Sequence, residues 1–361
     1  MPPIPASIRI FQGLAGFQAL REEWQTLAQA CGTHFLHFPG WYGAELANMA
    51  DSSRVYFACL YQAGDLVAVL PLEYRRLRRR ALRLPILQLF YASEMGVNDV
   101  LSRVPLLPYR EALEAALRRQ LPFFLLIRWQ CVLEDGCAIS FLNPREKPRY
   151  THLSKLIDFS LGAARFWEDY SPKFRRDLRR KKEKALKRGP LQLVRTTRME
   201  ELPAAFAQFL QVENSGWKGA SGTSIEQQPQ KRAFYESLLH DFGQLGLCHI
   251  NLLRLDQVPI AAQFGVCIAQ RLYLLKIGYR ESYSDLSPGH LLIEELVEQS
   301  SNSDSVRSLS FVTGVEWIDR WHPRQQRVGI FYTGNGTWFG ALVVKVVKIA
   351  LRTRDALRRR G

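Results

Sequence analysis

Apolar and polar residues alternate over the segment 247–268, on both sides of a turn at Asp256-Gln257. Alternation with a period of two is typical of β-strands, so this segment predicts a β-hairpin. A third strand is predicted over 271–277, and an amphipathic helix that begins at Ser287-Pro288-Gly289-His290 follows it. This order places a helix start shortly after a strand.

The start of that helix predicts a binding site for an anion. Ser287 is a suitable N-cap, and Pro288 stands at the first helical position, where its missing N–H removes no hydrogen bond. Gly289 keeps side-chain bulk away from the first-turn N–H groups, which attract negative charge together with the helix dipole. Acyl-coenzyme A carries a diphosphate that suits such a site. An ordinary capped helix is the alternative interpretation.

The first half of the chain shows a comparable pattern. Strands are predicted over 55–60 and 66–73 around Ala63-Gly64-Asp65, after two helices with apolar residues at helical spacing. This hairpin occupies the same place in its half as the hairpin at Asp256-Gln257. The sequence therefore predicts two copies of one α/β unit, with chance similarity as the alternative because hairpins are common.

A polar stretch that contains two prolines, 143–148, marks the boundary between the two halves. A length of 361 residues also suits two domains of ordinary size. We expect an α/β (α+β) fold with an N-terminal domain over 1–145 and a C-terminal domain over 146–338, each a mixed twisted sheet flanked by helices. A basic amphipathic helix is expected over 339–361.

The composition narrows the class of protein. Hydrophobic residues make up 47% of the chain, which is enough for sizeable cores. The six cysteines lie mostly in apolar runs and form neither a CxxC motif nor a cluster with histidine, so we expect reduced thiols and no metal site. The N-terminus lacks the features of a signal peptide, and no apolar run reaches the roughly 18 residues of a transmembrane helix. A cytoplasmic location is therefore expected.

The net charge of +15 is concentrated in two segments, 173–188 and 340–361, and a smaller arginine cluster lies between Arg75 and Arg83. Concentrated positive charge predicts an anionic partner such as phosphate groups, nucleic acid or a lipid surface. The helix predicted over 172–188 is basic nearly all round, which suits the phosphates of a tRNA. A solvated outer helix is the alternative interpretation.

The predicted C-terminal helix combines a wide apolar face, which includes Leu342, Val346 and Ile349, with basic residues such as Lys345 and Lys348. This combination suits the interface of an anionic membrane, so peripheral association with the inner membrane is one expectation. Docking on its own domain or on a second subunit is the alternative.

The second half of the chain contains an ordered set of short motifs: SPKFRRDLRRKKEKALKRG, WKG, PIAAQF, GYRESYSDLSPGHLL, and TGVE followed by a tryptophan. In this order the chain resembles the GNAT-type acyltransferases. More narrowly, it is similar to the CelD-like (cellulose-biosynthesis-associated) acetyltransferases, which are relatives of the Fem-type peptidoglycan aminoacyltransferases. The resemblance covers 158–321 well, and it covers the first half loosely through AGDLVAVLPL and ASEMGVNDVL.

The resemblance implies two tandem GNAT-like domains and an acyl group that passes from acyl-CoA, or from aminoacyl-tRNA, to an amine or hydroxyl. It places the donor's diphosphate at the helix start, on Ser287, Pro288, Gly289, His290 and Leu291. The chain departs from the family pattern further on. Ser310 stands at an acidic position, and Trp317-Ile318 replaces a Tyr-Lys pair, which puts the role of that lysine in doubt.

Direct transfer requires a group that takes the proton of the acceptor and N–H donors for the thioester carbonyl. Glu213 and Glu316 are candidate bases, and Tyr283 is a candidate acid for the leaving thiolate. Candidate acceptor-binding residues are Trp217, Lys218 and Trp321. The alternatives are surface carboxylates, a structural tyrosine, core tryptophans and a solvated lysine.

The sequence thus predicts an acyl-CoA-dependent acyltransferase of cell-envelope or exopolysaccharide biosynthesis. An aminoacyl-tRNA-dependent transferase and a non-catalytic GNAT-like binding module remain open as alternatives.

Overall fold

The computed structural model describes residues 5–79, 82–92, 94–143, 145–300 and 306–358. The chain forms two compact units, of which one consists of residues 1–153 with 326–361 and the other of residues 154–325.

The elements up to residue 133 follow one another in this order: β1 (Ala6–Gln12), α1 (Gly13–Cys31), α2 (Pro39–Asn48), β2 (Val55–Gln62), β3 (Asp65–Arg79), β4 (Leu82–Leu89), β5 (Leu101–Ser102), α3 (Arg110–Gln120) and β6 (Leu126–Leu133).

The elements after them are β7 (Arg149–Asp158), α4 (Ala163–Glu168), α5 (Pro172–Leu186), β8 (Leu191–Thr196), α6 (Leu202–Asn214), α7 (Trp217–Ala220), α8 (Pro229–Gln244), β9 (Cys248–Leu255), β10 (Val258–Ile268), β11 (Arg271–Tyr279), α9 (Pro288–Ser300), β12 (Ser308–Ser310), β13 (Arg324–Gly334) and α10 (Trp338–Arg358). Short 3-10 helices over Glu281–Leu286 and Glu316–Trp321 precede α9 and β13, respectively.

The two units share one strand order. In the first unit, β1 to β4 pair antiparallel in sequence, β6 joins β4 in parallel, and β13 joins β6 antiparallel. In the second unit, β8 to β11 pair antiparallel in sequence, β12 joins β11 in parallel, and β7 joins β12 antiparallel. This agreement supports the predicted duplication, and the predicted mixed α/β fold class is confirmed.

Both predicted hairpin turns are present. Ala63 and Gly64 connect β2 to β3 with φ of 49° and 94°, and Asp256 and Gln257 connect β9 to β10 with φ of 46° and 66°. Positive φ at both central residues matches the right-handed twist of the paired strands, which favours this turn in tight hairpins.

The division of the chain differs from the predicted domains at its C-terminal end. β13 pairs with β6, and Val344 of α10 packs with Ile86 and Leu126 of the first unit. The sequence pattern predicts 326–338 as part of the second domain and 339–361 as a separate helix, of which 359–361 lie outside the described residues. Pairing between segments so far apart in the chain leaves no local pattern that would reveal it.

Helices cover the sheet of the second unit on both faces. On one face, Phe174 of α5 and Leu291 of α9 belong to the same buried cluster as Leu253. On the other face, Phe206 of α6 and Tyr235 of α8 contact Phe264 of β10 edge to face. Apolar burial of this kind stabilises the sheet at the position where the cavity described below opens.

The six cysteines are free thiols. Among the described residues, none of the helices combines the length and the apolar character that crossing a membrane requires.

Candidate active site

A cavity of about 580 Å³ lies in the second unit, where β11 ends and α9 begins. Strands β10 and β11, the end of α6, the 281–286 segment and the first turn of α9 form most of its wall. The lining residues are Glu213, Gly216, Ala261, Ala262, Gln263, Ile277, Gly278, Tyr279, Glu281, Ser284, Ser287, Pro288, Gly289, His290, Leu292, Val315 and Trp317.

Strands β11 and β12 separate next to this cavity. Their parallel pairing covers only Arg271 to Tyr273 of β11, opposite Ser308 to Ser310. Strand β11 continues to Tyr279, past the last residue of β12, and its final residues line the cavity. The cavity therefore opens at the carboxyl end of a strand where a parallel pair diverges, a position at which open α/β sheets bind ligands.

The start of α9 differs in detail from the predicted capped helix. The helix begins at Pro288 as predicted, but Ser287 adopts the left-handed conformation (φ 55°, ψ 54°) instead of the extended one usual for an N-cap. Its carbonyl accepts the N–H groups of His290 at 3.0 Å and Leu291 at 3.3 Å. Within the described residues, the N–H of Gly289 is left as the first-turn amide without a partner. The predicted anion site therefore offers a single free amide of the first turn instead of several.

His290 is held as a neutral hydrogen-bond donor in the cavity wall. The indole N–H of Trp321 donates to Nδ1 of His290 over 2.8 Å. Because an indole can only donate, Nδ1 carries no proton and the neutral ring carries its proton on Nε2. Burial, with Arg320 and Lys181 nearby, lowers the pKa of His290 to about 4 against the opposing effect of Asp177. His290 therefore presents an N–H at neutral pH.

Glu213 places a buried carboxylate in the same wall. The residue is 3% exposed at the C-terminal end of α6, and its Oε2 accepts the backbone N–H of Ile225 at 3.0 Å. Glycine at position 278 allows α6 to approach β11 there, because a Cβ on Gly278 would lie 2.9 Å from Cα of Glu213. The close approach brings a proton acceptor to the end of β11.

The other candidate residues lie elsewhere. Glu316 is exposed and does not belong to the lining, and Tyr283 is half-buried against the core. Trp321 is 1% exposed inside an aromatic cluster, so it reaches the site only through His290. Leu291 is fully buried in the same core, because it lies on the sheet-facing side of α9.

Helix α7 begins at Trp217 and includes Lys218, but the side chains of these two residues lie outside the described part of the structure. Their predicted contact with an acceptor stays a prediction.

Several lining residues are not among the candidates for chemistry that the sequence predicts. Gln263 is the clearest case: it is 3% exposed, and it is polar within the apolar strand VPIAAQFGVCI. A polar residue inside a fully buried strand is a usable signal. Glu281, Ser284 and Trp317 offer no comparable signal, because they belong to short 3-10 helices without a clear apolar pattern.

The basic helix α5 and the residues just after it hold the segment that leads into α9. Lys184 and Arg188 both pair with the carboxylate of Asp285, and these contacts hold the pKa of Asp285 well below its usual range. Lys181 donates to the carbonyl of Asp285 at 2.6 Å, and Lys182 pairs with Glu295 of α9 at 2.7 Å. Part of the charge that predicted an external anion is therefore neutralised within the second unit.

A buried cluster of His37, Asp99 and Cys137 in the first unit brings three ligand types together. The carboxylate of Asp99 already accepts the N–H groups of Cys137 at 3.0 Å and Ala138 at 2.8 Å. Nδ1 of His37 accepts the N–H of Thr33, so the ring proton of the neutral form is on Nε2, which faces Asp99 at 3.0 Å. With its lone pairs engaged in this way, the cluster is a hydrogen-bonded network that stabilises the fold.

Comparisons with known proteins agree with the geometry. Residues 172–321 match the family model described as Acetyltransferase (GNAT) domain. The chain resembles the crystal structure of FemX, with a TM-score of 0.55, 12% identity, and coverage of 86% of this chain and 95% of that chain. None of the curated proteins matches the sequence.

A domain named as the C-terminal part of a lysylphosphatidylglycerol synthetase from Agrobacterium fabrum gives a TM-score of 0.54 at 11% identity, over 92% of this chain and 97% of that chain. A protein of unknown function from Bacteroides thetaiotaomicron gives 0.50 at 12% identity, over 86% and 96%. At such identities the likeness concerns the fold alone. Within the second unit, residues 172–321 thus form the segment that matches the acetyltransferase (GNAT) domain model.

Proposed function

We propose that the protein is an acyltransferase that moves an acyl group from acyl-CoA to an amine or hydroxyl acceptor in the cavity at the start of α9. The observation that carries this proposal is the position of the open N–H of Gly289 beside the diverging end of β11. A Cβ on Gly289 would meet only the ring of Trp317, at 3.9 Å, so this backbone is open to a ligand. A helix start of this kind suits a diphosphate.

The lining residues supply the groups that direct transfer requires. In the proposed reaction the acceptor nitrogen or oxygen bonds to the thioester carbon, the carbon–sulfur bond breaks, and the thiolate leaves. Glu213 takes the proton that the acceptor loses, since its carboxylate is buried in the wall. The Nε2–H of His290 is a donor for an oxygen that gains negative charge. The released thiolate takes a proton from solvent.

Binding and turnover test the proposal separately. Calorimetric titration with acetyl-CoA and longer acyl-CoAs is expected to show binding of at least one of them. Release of free thiol is then followed with a panel of amine and hydroxyl acceptors, with Glu316→Gln as a control because Glu316 is exposed and outside the lining. If none of the acyl-CoAs binds, the proposal fails.

We further propose that the acceptor belongs to cell-envelope or exopolysaccharide biosynthesis and that the protein acts in the cytoplasm, where acyl-CoA is available. The sequence resemblance to the CelD-like acetyltransferases supports this assignment. Trp217 and Lys218, at the start of α7 near the cavity residue Gly216, remain the proposed contacts to the acceptor.

An aminoacyl-tRNA donor is a second candidate, because α5 keeps exposed basic residues away from Asp285. These include Lys173, Arg175, Arg176 and Arg179. Phosphate contacts through such residues would make binding of charged tRNA weaken steeply with salt. Titration with charged tRNA at two salt concentrations distinguishes this donor from acyl-CoA.

A further inference from the structure

Helix α10 exposes a continuous apolar stripe to solvent. Trp338 is 79% exposed, Val346 58% and Ile349 63%, and Leu342 at 47% lies between them. At 3.6 residues per turn these four positions fall within roughly a quarter of the helix circumference. Large apolar side chains aligned in this way are typical of an interaction surface.

The opposite side of α10 is already used in the fold. Val344 belongs to a buried cluster with Ile86 and Leu126, and Val343 and Val347 pack against it. The helix is therefore held on the first unit by one apolar face and presents a second apolar face outward. Packing within the first unit therefore explains the apolar residues of the inward face, and it leaves those of the outward face unexplained.

Basic residues border the outward stripe on one side. Lys345 and Arg352 are exposed and lie two helical turns apart on the same edge of the stripe, and Lys348 lies between them further from its centre. Arg75, on the same face of the sheet as Leu77, already pairs with Glu73 at 2.7 Å, so the border consists of the basic residues of α10 itself. The apolar stripe thus has a positive border.

We propose that α10 docks this surface on an anionic lipid bilayer, with Trp338, Leu342, Val346 and Ile349 in the headgroup–acyl boundary and the basic border on lipid phosphates. Charge decides between the occupants of the stripe. A second copy of the chain packed on the stripe would offer Lys345 and Arg352 no acidic partner from its own apolar stripe, whereas anionic lipid neutralises them. This inference is independent of the reaction proposed above.

Vesicle co-sedimentation tests the inference with the full chain and without coenzyme A. Vesicles of phosphatidylcholine alone are compared with vesicles that also contain phosphatidylglycerol, each at two salt concentrations. We expect binding to the anionic vesicles that weakens with salt. Leu342→Ser with Val346→Ser should reduce binding at least about tenfold through lost apolar burial. Lys345→Gln with Arg352→Gln should reduce it roughly 30-fold.

Matched controls keep the test decisive. Thr353→Ser alters an exposed position of α10 that carries neither charge nor a large apolar group, and it should bind as the unaltered protein does. Equal thermal midpoints for all variants establish that the helix still packs on the first unit. The proposal is overturned by absent binding or by equal binding to neutral and anionic vesicles. Dimerisation in solution that Leu342→Ser with Val346→Ser abolishes overturns it as well.

Discussion

Trp321 donates its indole N–H to Nδ1 of His290 over 2.8 Å, and the two rings lie nearly parallel at 20°. The contact joins the aromatic core of the second unit to the wall of the cavity. A buried tryptophan thereby determines which nitrogen of a cavity histidine carries the proton. Trp321 acts at the candidate site as a positioning residue.

Burial is the main cause that lowers the pKa of His290 to about 4, and Trp321→Phe should raise it because the hydrogen bond that also favours the neutral ring is lost. NMR titration of the imidazole measures the shift, and the acid limb of the pH–rate profile should move to higher pH with it. Trp317→Phe is the matched control, since Trp317 contacts His290 edge to face and leaves the Trp321 hydrogen bond in place. Equal titration of His290 in both variants would contradict the assigned role.

Glu213→Gln should reduce kcat by about 10²–10⁴-fold, because the amide cannot take a proton from the acceptor. The amide oxygen can still accept the N–H of Ile225, so the fold and the affinity for acyl-CoA should change little. Glu316→Gln, at an exposed position outside the lining, should leave kcat unchanged. Steady-state thiol release measures both variants, and comparable rates for the two would exclude Glu213 as the base.

Gly278→Ala should destabilise the protein by about 1–3 kcal/mol, because the added methyl group would crowd the backbone of α6. The new Cβ would lie 2.9 Å from Cα of Glu213, and this clash could be relieved only by moving the helix. Gly289→Ala is the control, since its Cβ meets the ring of Trp317 at an ordinary 3.9 Å. Urea unfolding compares the two variants, and equal loss in both would show that close approach at Gly278 is unimportant.

His249 should make the free energy of unfolding depend on pH. Burial and the nearby Arg195 lower its pKa to about 4, so the folded state binds its proton less readily than the unfolded state does. The stabilising free energy that neutral His249 contributes is fully present above the unfolded-state pKa of about 6.5. It is lost as the pH falls towards the folded-state pKa of about 4. Between pH 7 and pH 5 the unaltered protein should lose roughly 2 kcal/mol more than His249→Gln. Urea unfolding at both pH values measures the difference, and parallel losses would contradict it.

Local patterns in the sequence were sufficient for the hairpin turns, the strand alternation and the start of α9 at Pro288. These features depend on side chains and backbone within a few residues of each other, so a single segment carries the information. The duplication was also recognisable, because Ala63-Gly64 and Asp256-Gln257 turn the same element in each half.

Contacts between segments that are distant in the chain could not be predicted from the sequence. Nothing near His290 in the sequence indicates that Trp321 donates to it, and nothing near Glu213 indicates that Gly278 lies against its backbone. The left-handed conformation of Ser287 also differs from the expected N-cap, and the contact of Lys184 with Asp285 just before it joins residues about 100 positions apart. The two candidate bases differ only in relation to the cavity, because Glu213 lines it and Glu316 does not.

The structure of the protein in complex with coenzyme A tests the central claim most directly. The account predicts a diphosphate oxygen within about 3 Å of the Gly289 nitrogen, with the pantetheine arm running along the end of β11 towards Glu213. Coenzyme A bound elsewhere on the chain, with the Gly289 amide facing solvent or a side chain, would contradict it.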